Sequence, residues 1–122
     1  MQIVDSSGWV EFFTDGPLAG KYAGHLKDPA RVLTPTIVLY EVYKKIKRER
    51  TEEEALSAVS LMNRTKVVDL TESIALHAAD LSIAHSLPMA DAIVYATALE
   101  AGGKVVTSDA HFKRLDRVTF VE

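Results

Sequence analysis

Short apolar runs alternate with longer helix-like segments, and this alternation constrains the fold more than any other feature of the chain. Each short run is rich in β-branched residues and is followed by turn or capping residues. Strands separated by helices form a parallel sheet that is covered by helices on both faces. We therefore predict an α/β fold in three layers, α/β/α, with a five-stranded parallel sheet. The predicted strands are residues 2–4, 31–33, 66–68, 104–107 and 118–121, the last at an edge.

Capping residues indicate where the helices begin and end. Ser6 or Ser7 is predicted to cap the first helix, which runs toward residue 13. Thr34 is predicted as the N-cap of a later helix, with Pro35 in its first position, where the missing N–H costs nothing. Thr51 begins a capping-box pattern. The predicted helices cover residues 6–13, 18–26, 35 through at least 48, 51–63, 71–86 and 89–101.

Composition limits the class of protein. The 122 residues, 48% of them hydrophobic, suffice for one domain, which we place at residues 1–122. There is no cysteine, so disulfides and thiolate chemistry are excluded. No apolar run approaches the roughly 20 residues needed to span a bilayer. The N-terminal run lacks the layout of a signal peptide, and we expect a cytoplasmic protein that has no membrane partner.

Four carboxylates, Asp5, Glu41, Asp91 and Asp109, occupy apolar surroundings where an acid is unfavourable. A buried charge without a partner costs several kcal/mol or more, roughly, so such groups are protonated, paired or bound to a cation. Asp5 and Asp109 follow predicted strands, and Glu41 and Asp91 are expected in first helical turns. The carboxyl ends of parallel strands share one edge of the sheet, so the fold is expected to bring all four acids together.

Four carboxylates at one edge predict a site for Mg²⁺ or Mn²⁺, because these cations prefer oxygen ligands. One or two such ions can assist hydrolysis of a phosphodiester. The hydroxyls of Ser6, Ser7, Thr107 and Ser108 lie beside two of the acids in the sequence. They are candidates for orienting water or a phosphate, or for capping the local backbone.

A basic helix supports a polyanionic substrate. Glu41, Lys45 and Arg48 have the spacing i, i+4 and i+7, which places them on one helical face. The cations are then candidates to line the approach of a polyanion and contact its phosphates, although a solvated face with i, i+4 ion pairs would have the same pattern. Tyr40 and Tyr43 flank the acid; we predict that both pack in the core, with base stacking as the alternative.

At this point the sequence resembles the PIN domain, in order and spacing, over essentially the whole chain. The resemblance is carried by residues 3–7 (Ile-Val-Asp-Ser-Ser), Glu41, residues 87–93 (Leu-Pro-Met-Ala-Asp-Ala-Ile) and residues 106–112 (Val-Thr-Ser-Asp-Ala-His-Phe). The compact length is most similar to the VapC-type toxins of toxin–antitoxin pairs.

The resemblance implies a metal-dependent endoribonuclease, a homodimer and a small antitoxin partner that blocks the site. Asp5, Glu41, Asp91 and Asp109 match the acidic positions of the family one by one. His111 departs from the pattern, because many relatives carry an acid at this position. The resemblance therefore does not decide whether there is a second metal site. We favour a partly exposed packing role for His111 over proton transfer or phosphate contact.

Three alternatives use the same kind of fold. A signalling receiver domain would need a phospho-accepting acid, for which Asp69 is the candidate, and a Lys after a later strand, where Thr107-Ser108-Asp109 stands instead. A non-catalytic RNA-binding scaffold would not need the acids. A nuclease acting on DNA would use the same metal chemistry.

Overall fold

The computed structural model describes all 122 residues and contains a five-stranded parallel sheet with six α-helices. The predicted α/β class and the five-stranded sheet are confirmed. The strands are β1 (Gln2–Val4), β2 (Val32–Pro35), β3 (Lys66–Val68), β4 (Lys104–Thr107) and β5 (Val118–Phe120). The helices are α1 (Ser6–Phe13), α2 (Ala19–His25), α3 (Thr36–Glu49), α4 (Glu52–Met62), α5 (Glu72–His85) and α6 (Met89–Glu100). Short 3₁₀ turns occupy Pro29–Arg31 and Ala110–Phe112.

The strand order is β3-β2-β1-β4-β5, and every neighbouring pair is parallel. The chain moves from β1 outward to β3 and then returns to β4 on the other side of β1. With this strand order, the general rule that crossovers between parallel strands are right-handed assigns α1 to α4 to one face of the sheet and α5 and α6 to the other. The strand order therefore reverses between β1 and β4, and such a switch point opens a crevice at the carboxyl ends of the strands.

The core is built on β1 and β4 and on helix α6. The side chains of Ile3, Val4, Val105 and Val106 are fully buried. All seven residues from Ala92 to Ala98 in α6 are buried as well, because this helix packs against α5, β1 and β4. Burying one Val or Ile side chain contributes about 1.5–3 kcal/mol. This packing fixes the axis of α6 and, with it, the first turn of the helix at the switch point.

The start of α3 differs from the prediction. Strand β2 continues through Thr34 and Pro35, and the helix begins only at Thr36, with Pro35 as its N-cap. Thr34 does not cap the helix, because it is buried and its hydroxyl is hydrogen-bonded to the Thr65 hydroxyl at 2.6 Å. Pro35 remains extended and lies in register with Val68 of β3.

The cap of α1 also differs. Asp5, rather than Ser6 or Ser7, is the N-cap, and its carboxylate accepts a hydrogen bond from the Ser6 amide at 2.8 Å. The predicted caps of α4 and α5 are confirmed, since the hydroxyls of Thr51 and Thr71 each accept an amide hydrogen bond three residues ahead. None of the six helices combines the length and apolar character needed to cross a membrane.

Candidate metal centre

The four acids come from four separated points of the chain and meet at the switch point. Asp5 directly follows β1, and Asp109 lies two residues after β4, the strand paired with β1. Asp91 is in the first turn of α6, as expected. Glu41 lies in the second turn of α3 rather than the first, because β2 extends to Pro35 and the helix begins later.

Asp5 is held rigidly and almost without solvent contact. Its relative exposure is 3%. One carboxylate oxygen accepts from the Ser6 amide, and the other accepts from the buried Thr107 hydroxyl at 3.0 Å. Burial raises the pKa of Asp5, the two hydrogen bonds oppose that increase, and the charge of Asp109 adds to it. The carboxylate is therefore oriented by its partners but is not neutralised by any cation of the protein.

Glu41 reaches the same site from α3. Partial burial raises the pKa of its carboxyl, and repulsion from Asp5 and Asp109 raises it further. The nearby Ser6 side chain acts in the opposite direction and lowers this pKa. Glu41 is therefore close enough to Asp5 and Asp109 for their charges to affect its pKa.

Asp91 and Asp109 form the open side of the site together with His111. Burial, followed by repulsion from Asp109 and Asp5, raises the pKa of Asp91 to about 7, although the nearby His111 lowers it. The Nδ1 atom of His111 lies 3.0 Å from Oδ2 of Asp91 and 2.9 Å from Oδ1 of Asp109. The predicted partial exposure of His111 agrees with its 55% exposed side chain, but the imidazole contacts the two acids, which the predicted packing role did not include.

These residues fit a divalent cation. Asp91, Asp109 and His111 each offer one ligand atom, and the three atoms lie within 4.8 Å of one another. Burial, with a further contribution from like charges, raises the pKa values of Asp5, Glu41 and Asp91, and a bound cation would offset both effects by stabilising the ionised carboxylates. Carboxylate oxygens suit Mg²⁺ and Mn²⁺, and an imidazole nitrogen favours Mn²⁺ of the two.

A surface depression of about 530 Å³ is lined by one of the four acids, Glu41. Its lining also contains four of the six residues that the sequence indicated as candidates for substrate binding, namely Ser6, Ser7, Lys45 and Arg48. A somewhat larger depression, of about 630 Å³, lies against α3 and α4 but contains none of the four acids. We therefore take the smaller one as the approach to the site.

Two other predicted substrate-binding residues have their hydroxyls engaged within the protein. The Thr107 hydroxyl donates to Asp5 and accepts from the Asp109 amide at 2.9 Å, so it ties the two strand-end acids together. The Ser108 hydroxyl donates to the Val121 carbonyl at 2.8 Å and is 2.5 Å from the Tyr22 hydroxyl. Both residues therefore have a positioning role in the structure.

The tyrosines that flank Glu41 differ from each other. Tyr43 is partly buried and packs against the core, as predicted. The core packing predicted for Tyr40 is wrong, because this residue is 57% exposed and lines the same depression as Glu41. No local sequence pattern distinguishes the two rings, because both are within two residues of the acid on one helix.

Comparison with known proteins identifies the family. A model of the PIN domain matches residues 3–118, and the chain therefore belongs to the PIN domain family. No curated protein matches the sequence.

Solved structures share the fold at low sequence identity. A toxin–antitoxin complex from Klebsiella pneumoniae superposes with a TM-score of 0.82 at 19% identity, over 98% of this chain and 96% of that one. VapC20 of Mycobacterium tuberculosis, a toxin that cleaves the sarcin–ricin loop, gives a TM-score of 0.82 at 20% identity over 100% of both chains. VapBC2 of Rickettsia felis, bound to a DNA fragment from its promoter, gives 0.78 at 14% identity, over 99% of this chain and 98% of that one.

Proposed function

We propose that this protein is a metal-dependent endoribonuclease that acts as the toxin of a toxin–antitoxin pair. The observation that carries the proposal is the meeting of four distant carboxylates at the switch point of a PIN domain, three of them with raised pKa values. Asp5, Glu41, Asp91 and Asp109 are the proposed catalytic and metal-binding residues. Acids that repel one another lower the stability of the folded state. A reaction that needs a cation at this site explains why the chain carries them there.

Asp91, Asp109 and His111 would hold Mg²⁺ or Mn²⁺ on the open side, with Asp5 and Glu41 on the inner side. When bound, the cation supplies positive charge that neutralises the scissile phosphate and favours deprotonation of the attacking water. The nitrogen ligand from His111 replaces the acid that many relatives carry at this position, so the charge of the ligand set is reduced. Because of this reduced charge, the proposal allows either one or two bound ions.

The residues of the chain have separate proposed roles around the reacting phosphate. Thr107 and the Ser6 amide fix the direction of the Asp5 carboxylate. Burial and the charges of Asp5 and Asp109 raise the pKa of Glu41 above its ordinary value, which makes its carboxylate a stronger base toward water.

The depression beside the acids is the proposed path of the RNA. Arg48 forms no ion pair there and is free to contact phosphate, whereas Lys45 is 3.6 Å from Glu49 in an exposed pair that phosphate can displace. The hydroxyls of Ser6 and Ser7 border the same space. These four residues are the proposed substrate-binding set, with Thr107 and Ser108 supporting it from the strand end.

Cleavage assays test the enzymatic proposal. Asp5→Asn and Asp91→Asn should each abolish RNA cleavage in the presence of Mg²⁺ or Mn²⁺. Asp80→Asn is the matched control, because Asp80 is an exposed acid of α5 outside the site, and it should retain wild-type activity. Full activity of either site variant rules out the mechanism. Cleavage of single-stranded DNA at the same rate would assign the chain to a nuclease without a preference for RNA.

The toxin assignment is supported by the structural neighbours, two of which are toxin–antitoxin complexes. We propose a single domain over residues 1–122, a homodimer and a cognate antitoxin that covers the acidic site. Expression of the wild-type chain should arrest growth, whereas Asp91→Asn should not. Co-expression of a short neighbouring reading frame should relieve the arrest. Light scattering of the purified chain tests the dimer directly.

A non-catalytic RNA-binding PIN domain is the second candidate. It is favoured by the basic residues of α3, which would bind RNA without any cation. Calorimetry with Mn²⁺ and cleavage assays on diverse RNAs separate the two, because the scaffold would bind RNA and leave it intact. The receiver alternative is dropped, since the chain belongs to the PIN domain family.

A further inference from the structure

Tyr40 is an exposed aromatic residue in an informative position. Single apolar side chains on a surface are common and by themselves mean little. Tyr40, however, immediately precedes Glu41 on α3 and lines the same depression of about 530 Å³. The buried stripe of α3 consists of Val38, Val42 and Ile46, so the ring contributes nothing to the core that this stripe forms.

The surroundings of Tyr40 match the chemistry of a nucleotide. The ammonium of Lys44 lies 3.3 Å from the Tyr40 hydroxyl and 5.5 Å from the ring centroid, which restrains the ring and places a cation beside it. Lys44 forms no ion pair with an acid, and its charge is available to a phosphate. An aromatic face next to cations that track a backbone is the usual arrangement for binding single-stranded nucleic acid.

We propose that Tyr40 forms a nucleobase-stacking subsite next to the acidic centre. The proposal rests on the function proposed above and deepens it by naming the substrate class. Bases inside a duplex are stacked on their neighbours and cannot reach a side chain, whereas unpaired bases in loops and single strands can. The preferred substrate is therefore an RNA in which an unpaired base flanks the cleaved bond.

The same helix offers a matched control. Tyr43 and Lys47 form the same kind of pair three residues further along α3. The Lys47 Nζ atom lies 3.2 Å from the Tyr43 hydroxyl and 5.2 Å from the centroid of its ring. Tyr43 packs against the core and does not line the depression. A local effect on helix α3 would be common to both tyrosines, but a stacking effect belongs to Tyr40 alone.

The binding experiment uses a 12-nucleotide single-stranded RNA that carries 2-aminopurine, without Mg²⁺ or Mn²⁺ so that it stays intact. Tyr40→Leu should weaken binding by about 5- to 150-fold, as expected for the loss of one stacked base. It should also abolish the quenching of 2-aminopurine fluorescence. Tyr40→Phe and Tyr40→Trp should keep both, because they keep an aromatic face. Tyr43→Leu should bind like the wild type, and the unfolding temperature of each variant verifies that it is folded.

The outcomes separate the subsite from the enzymatic proposal. If Tyr40→Leu binds the RNA and quenches 2-aminopurine like the wild type, the stacking subsite is overturned. The same conclusion follows if Tyr43→Leu loses as much RNA affinity as Tyr40→Leu. A wild-type chain that binds RNA through Tyr40 but never cleaves it overturns the nuclease and leaves the subsite standing. A wild-type chain that cleaves RNA, with KM and kcat unchanged in Tyr40→Leu, overturns the subsite alone. A wild-type chain that binds no RNA overturns both.

Discussion

Replacing Asp91 by Asn should stabilise the metal-free protein while removing its response to metal. In the folded chain the pKa of Asp91 is about 7, against 3.8 for the free side chain. Between these values the folded state binds a proton that the unfolded state has released, so stability decreases as the pH rises toward and through 7. Asparagine is neutral at every pH, so the variant lacks this dependence of stability on pH.

The magnitude follows from the same pKa difference. In a fully dry site, a difference of this size would correspond to about 4 kcal/mol. The Asp91 side chain is 14% exposed and lies at the open side of the site. Screening by water therefore reduces the expected gain to roughly 1–2 kcal/mol at pH 8, or about 4–8 °C in unfolding temperature for a chain of this size. At pH 4 or below the two proteins should be nearly equal, because Asp91 is then neutral.

Thermal unfolding with EDTA and with excess Mg²⁺ or Mn²⁺ measures both parts of the prediction. The wild-type protein should gain stability from the metal by mass action, and Asp91→Asn should gain little. Asp80→Asn should behave like the wild type under all conditions. If Asp91→Asn is less stable than the wild type at pH 8 in EDTA, or if its advantage is the same at pH 4, the acids are not in electrostatic conflict and the reasoning is refuted.

Two further predictions concern the neighbours of the acids. Thr107→Val removes the hydrogen bonds of the hydroxyl with Asp5 and with the Asp109 amide. The free energy of unfolding, measured in urea, should decrease by about 1–3 kcal/mol. The acidic limb of the cleavage pH profile should move to higher pH, because the hydroxyl lowers the pKa of Asp5. Thr107→Ser should restore both, and an unchanged pH profile in the Val variant would contradict the role of the hydroxyl. His111→Ala should weaken Mn²⁺ binding in calorimetry by about tenfold and Mg²⁺ binding less, because nitrogen is a better ligand for Mn²⁺; equal losses for both ions would show that the imidazole is not a ligand.

The strand-end acids could be predicted from sequence because their placement depends on local order. A carboxylate that follows a buried β-branched run lies at the carboxyl edge of a parallel sheet whatever the remaining packing is. Asp5 and Asp109 satisfy this condition, and Asp91 is placed by the helix start after Pro88. The turn of α3 that holds Glu41 could not be predicted, because the helix start depends on the Thr34–Thr65 hydrogen bond between residues 31 positions apart.

Side-chain exposure around the site was beyond the sequence for a related reason. Tyr40 and Tyr43 have the same local pattern, and only the docking of α3 on the sheet and on α4 leaves one of them exposed. His111 has no local partner in the sequence except Asp109. Its contact with Asp91 exists only because the first turn of α6 lies beside the segment that follows β4. Contacts between elements decide these cases, and no periodicity encodes them.

The continuous apolar run of α6 and the repulsion at its first turn are two parts of one arrangement. An amphipathic helix could shift or tilt to separate Asp91 from Asp5 and Asp109, because one face would remain in water. Seven consecutive buried residues, from Ala92 to Ala98, leave α6 no such freedom. The packing energy of this helix therefore holds Asp91 against acids that repel it, so that the charge conflict remains in the folded protein until a cation neutralises it.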